Sequence, residues 1–89
     1  MLSKIKHILL DDDLDTEYDE EIQDLIDSAL LDLGIAGVEN LDTTDALILR
    51  AVTTYCKMNF RNPADYDKLL ESYNMQKAQL GMAIGYVEV

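Results

Sequence analysis

The chain has 89 residues and a formal net charge of −11, from 18 acidic against 7 basic side chains. Hydrophobic residues fill 48% of its positions, enough for a core, so the composition excludes disorder and predicts one small domain that buries roughly 60–65% of its unfolded surface. The charge argues against phosphate-backbone binding as the main activity, and the single Cys56 leaves no intrachain disulfide.

Leu2, Ile5, Ile8 and Leu9 recur at helical spacing, with Ser3, Lys4, Lys6 and His7 on the other side. This predicts a short amphipathic helix over Leu2–Leu10. Its apolar run, Ile8–Leu10, is only three residues long before Asp11–Asp13, too short for a signal-peptide core or a membrane span.

The acidic stretch Asp11–Asp15 breaks the pattern. Thr16 is the expected N-cap of a second helix, with Glu17, Asp19, Glu20 and Glu21 favoured by the helix dipole. Tyr18, Ile22, Leu25, Ile26, Ala29, Leu30 and Leu33 then trace one helical face, and Gly34 is the expected stop. A connection through Gly37 and Asn40 follows. Asp42 or Thr43 is expected to cap a third helix running to about Phe60. Its apolar positions, among them Leu49, Val52, Tyr55, Cys56 and Met58, cover more than one stripe, which predicts a central helix with neighbours on several sides.

Asn62-Pro63 punctuates the chain, with Asn as cap, Pro at the first helical position and Asp65 in the first turn. A fourth helix of some 22 residues, about 33 Å, is expected through roughly Ile84. Tyr66, Leu69, Leu70, Tyr73, Leu80 and Ile84 mark its inner face, and Lys77 interrupts it with a stem that can lie along apolar surface. The predicted fold is therefore all-α, a small bundle of about four helices with a long C-terminal helix, in a single domain over residues 1–89.

The end of the chain draws attention to an interface. Met82, Ile84, Tyr86, Val87 and Val89 are apolar where little chain remains to cover them. Gly81 and Gly85 let this end bend away from the helix, so residues 85–89 can form an extended tail. Docking on a neighbouring subunit or another partner, including by strand addition, is one reading. Folding back over the chain's own core is the other.

Other constellations favour bland readings. An EF-hand loop starting at Asp11 would need glycine at Thr16 and a bidentate Glu at Ile22; a solvated capping turn fits better. Asp27-Ser28-Ala29-Leu30 resembles the phosphopantetheine serine motif of acyl carrier proteins, yet Ser28 falls deep inside the second helix with Ala29 inserted. His7 is expected on the surface, and Cys56 in an apolar helix reads as core filling. The tyrosines at 55, 66 and 73 read as packing residues. No nucleophile–base pair, phosphate loop or metal-ligand spacing stands out, so neither an enzyme nor a cofactor is expected.

Four features in order carry a family resemblance: the short leading helix and acidic break before Glu21-Ile-Gln-Asp-Leu-Ile-Asp-Ser-Ala29; Ala51-Val-Thr-Thr-Tyr55 running to Asn59-Phe60; Pro63-Ala-Asp-Tyr-Asp-Lys-Leu-Leu70; and Gln79-Leu-Gly-Met-Ala-Ile-Gly-Tyr86. Over about residues 2–86 the chain resembles the head–tail connector, or head-completion, proteins of tailed bacteriophages. The resemblance implies a non-catalytic connector subunit in a ring of about a dozen copies. That ring would dock under the portal, extend the DNA channel without binding DNA specifically, and offer a platform for the next head-completion or tail protein. It implies assembly in the host cytoplasm, a final place at the head–tail junction of the virion, and no membrane. The alternatives are a small acidic regulator or DNA mimic and, behind it, an acyl-carrier-like protein.

Overall fold

The structure is a computed structural model, and it describes residues 1–10, 16–35, 37–38, 45–61 and 63–82. Four helices follow in order: α1 (Leu2–Leu10), α2 (Asp19–Ile35), α3 (Ala46–Asn59) and α4 (Tyr66–Met82). No strand occurs among the described residues, and the fold is the all-α bundle the periodicity predicts. Helix α3 packs against α1, α2 and α4, and α1 also rests on α2.

Helix α1 has the predicted bounds, but its inward arc is rotated. Ile5 is fully buried and Leu2 and Leu9 are half-buried, while Ile8 is 50% exposed and Lys6, expected in solvent, is 4% exposed. The Lys6 Nζ lies 2.8 Å from Asp19 Oδ1 at the start of α2. That oxygen is buried with no aligned hydrogen bond, so the ammonium charge is what answers it, while the lysine stem fills space that an aliphatic side chain would otherwise take.

Helix α2 starts later than predicted. Thr16 accepts a turn bond from the Asp19 N–H at 3.3 Å, and the helical ladder begins where Tyr18 accepts from Ile22 at 2.9 Å. Asp19, Glu20 and Glu21 occupy its first turn, where the dipole favours them. Gly34 does not end the helix, which runs on to Ile35. The stop is Gly37, with φ at +97°. The Gly37 N–H bonds Gly34 O and the Val38 N–H bonds Leu33 O, both at 3.0 Å. This is the Schellman arrangement, and Val38 and Leu33, both buried, supply its apolar contact.

The cap of α3 is Asp45, whose Oδ1 accepts from the Leu47 N–H at 2.8 Å and the Ile48 N–H at 3.3 Å. The expected caps Asp42 and Thr43 lie outside the described residues. Ile48, Ala51, Val52, Thr54, Cys56 and Met58 of α3 are buried, and all of these but Thr54 meet Ile5 of α1, Ile22, Ile26, Ala29 and Leu33 of α2, and Tyr73 and Leu80 of α4 in one core. At the far end Phe60 closes the helix through its N–H to Cys56 O at 2.8 Å and meets Tyr18 edge-on at 5.7 Å. Arg61, at φ 61°, sets its guanidinium 5.0 Å from the Phe60 ring and 5.2 Å from Tyr18. Those contacts offset the cost of a left-handed backbone at a residue with a Cβ.

Pro63 precedes α4 rather than opening it, and the ladder begins where Asp65 O accepts from Leu69 at 3.0 Å. Over its described 17 residues α4 is about 25 Å long. Tyr73 and Leu80 are buried and Leu69 and Leu70 half-buried, as the stripe predicts, but Tyr66 is 41% exposed.

Candidate functional site

Three regions hold side chains that the core does not use up. The first is the outer side of α4. Of the residues singled out at the chain's end, Met82 is 84% exposed at the last described turn, and Ile84, Tyr86, Val87 and Val89 lie outside the described residues. Met82 does not stand alone. Met75, 67% exposed, and Ala78 fall three and four residues apart along the same face, beside Ser72, Gln76, Gln79 and Arg50 in a shallow depression. Leu47, 43% exposed, lies in the first turn of α3 close by. Flexible thioethers in solvent suit a surface that repacks against a partner. The signal for Met75 was present in the sequence, as an apolar residue off the Leu69–Leu70–Tyr73 stripe.

The second region is the α2–α4 boundary. The Tyr73 hydroxyl donates to Asp32 Oδ2 at 2.6 Å, and Lys77 Nζ reaches the same oxygen at 3.2 Å. Lys77 also lies 5.2 Å from the Tyr73 ring, and Tyr55 packs edge-on against that ring at 5.3 Å. The Tyr73 hydrogen bond, aided by Lys77, holds the Asp32 carboxyl below its ordinary value against the opposing pull of partial burial. Burial first, then the Asp32 carboxylate, pushes the Tyr73 phenol up. Both shifts stabilise the protonation states found at neutral pH, so this cluster locks two helices together and leaves no group poised to exchange a proton. Burial likewise pushes the Cys56 thiol up to about 12, so it remains a thiol and packs as a small apolar group. Ser28, at mid-α2, is exposed between buried Ile26 and half-buried Leu30, away from a helix start. Among the described residues no three His, Cys, Asp or Glu side chains gather as metal ligands, and no helix is long and apolar enough to cross a membrane.

The third region is a groove of about 800 Å³ between α1 and α3. Lys4, His7 and Ile8 line one wall, and Leu49, Arg50 and Lys57 the other, with Thr53 and Thr54 between. The threonine hydroxyls are spent within α3, on Leu49 O at 2.7 Å and Arg50 O at 3.0 Å. Polar recognition there falls to the cations, with Ser3 and His7 beside them. On α2, Leu31 and Ile35 are 67% and 78% exposed. They are the apolar residues of that helix that its predicted stripe leaves out.

The sequence profile of a family described as phage connector protein matches residues 1–87. No curated protein and no solved structure matches the chain.

Proposed function

The chain belongs to the phage connector protein family, and from that premise we propose that it is a non-catalytic head–tail connector subunit. Copies assemble into a ring beneath the portal, continue the DNA channel, and present a platform to the next head-completion or tail protein. The family match over residues 1–87 carries this reading.

The surface chemistry supports it. A lone 89-residue domain has little reason to hold Leu31, Ile35, Met75 and Met82 in water, whereas a subunit that meets several neighbours does. The excess of negative charge keeps a DNA channel from adhering to its cargo, since charges repel phosphates within a Debye length of about 8 Å at physiological salt. The tail beginning at Gly85, continuing from exposed Met82, is the segment proposed to dock on a neighbour or the portal.

A nonsense mutation in the gene within its phage tests the reading. The expected result is DNA-filled or partly filled heads without attached tails, restored by supplying the protein in trans. Normal infectious particles in the absence of the protein would overturn it. Purified protein is also expected to show no salt-sensitive duplex binding by fluorescence anisotropy, and micromolar affinity at physiological salt would remove the channel role.

A further inference from the structure

We propose that the groove between α1 and α3 receives the outward face of α2 from a second copy of the chain. This inference rests on the connector reading and names the contact through which copies would associate.

The groove collects Lys4, Arg50 and Lys57, three of the seven basic residues of a chain with net charge −11, together with its one histidine. None of these three cations forms an ion pair among the described residues. Arg50 and Lys57 are exposed, and no acidic side chain appears among the described residues that line the groove. Its apolar lining comes from Ile8 and Leu49, one from each helix. An occupant must therefore carry both negative charge and apolar groups on one face.

Helix α2 presents such a face. Glu20, Asp24, Asp27, Leu31 and Ile35 recur at spacings of four, three, four and four residues, which places them along one side of the helix. All five are exposed. The N-terminal half of the line is acidic and the C-terminal half apolar, which matches a groove that offers cations beside Ile8 and Leu49. Helix-in-groove docking uses this anchor spacing. The two patches share no residue, so the contact is heterologous. A contact of this kind generates a closed ring when its rotation closes and an open filament when it does not. The −11 net charge and the apolar lining favour a protein helix over nucleic acid as the occupant.

Charge reversal on the full chain tests the pairing. One variant carries Arg50→Glu and Lys57→Glu, the other Asp24→Lys and Asp27→Lys; all four sites are exposed, so each variant should melt as the wild type does. By sedimentation velocity at low salt, wild-type self-association is expected to weaken by at least about tenfold in either variant alone and to return when the two are mixed, because every mixed contact again pairs opposite charges. Added salt should weaken wild-type association. Association that is indifferent to both reversals would overturn the pairing while leaving the connector reading intact, since that reading is judged by tail attachment in the phage. A wild type that stays monomeric at low salt would overturn it as well. So would a groove reversal that abolishes binding of a DNA duplex, which would assign the groove to a polyanion. A groove reversal that changes only the monomer's melting would assign it to this chain's own acidic segment.

Discussion

Helices α3 and α4 lie side by side and spend their side chains differently. Six of the 14 residues of α3 are buried, in contact with all three other helices. Helix α4 is 17 residues long and buries only Tyr73 and Leu80, while Met75 and Met82 stay in water. A helix with neighbours on three sides stores stability. A helix at the margin stabilises with one edge and leaves the other exposed. In a domain this small, one element cannot serve both purposes over its whole circumference.

The sharpest way to break that contrast is to damage α3 itself. Val52 is fully buried, and Val52→Asp puts an unpaired carboxylate among aliphatic groups. The expected loss is about 3 kcal/mol or more, enough to abolish a cooperative melt in circular dichroism. An unchanged melting temperature would show that α3 is not the structural centre.

A smaller effect is expected where α4 meets α2. Tyr73→Phe keeps the ring packing and removes the donor to Asp32, at a cost of about 1–2 kcal/mol, because the acceptor is charged. It should also change the pH dependence. The folded Asp32 carboxyl titrates below its ordinary value of 3.8, so its contribution is present above that value and is lost as pH falls through the lowered one. The Tyr73 phenol titrates above its ordinary 10.0, so its contribution holds below that value and is lost as pH rises through the raised one. The variant should lose stability less steeply at both extremes. A carbon-detected NMR titration of Asp32 that is the same in wild type and variant would rule out the tyrosine as the cause.

The outer edge of α4 should respond least in stability. Met75→Lys with Met82→Lys is expected to change stability by no more than about 0.5 kcal/mol, as substitutions at exposed sites do, and truncation after Gly85 is expected to leave the monomer's cooperative melt intact. Attachment to the ring or portal should be lost in both. Truncation that unfolds the monomer would mean that the tail covers this chain's own core, and truncation that leaves assembly intact would remove it from the interface.

Much of the bundle was legible from periodicity. The bounds of α1, the Ile22–Leu33 stripe of α2, the centrality of α3 and the inner face of α4 around Leu69, Leu70, Tyr73 and Leu80 follow from apolar spacing alone. The termini were less legible, because several residues near each boundary could serve. Thr16, Asp42 and Thr43 all have capping side chains, and Asp45 is the cap the structure shows for α3. Gly34 and Gly37 both suit a helix end, and the choice fell to Gly37 because Val38 can then bury itself against Leu33.

Interaction surfaces are harder to read, since a periodic pattern tells which residues face a core and is silent on how separate helices come together. Amino-acid order alone determined that this chain is an acidic, four-helix protein with an apolar end, and its motif order already resembled the connector family. Only the packing of the helices decided that Lys6 turns inward to Asp19, that Asp32, Tyr73 and Lys77 meet across more than 40 positions, and that Lys4, Arg50 and Lys57 share one groove. Spacing within a helix is fixed by its own 3.6-residue turn, whereas the neighbours of a side chain across a helix boundary depend on how every other side chain in the core fits at once.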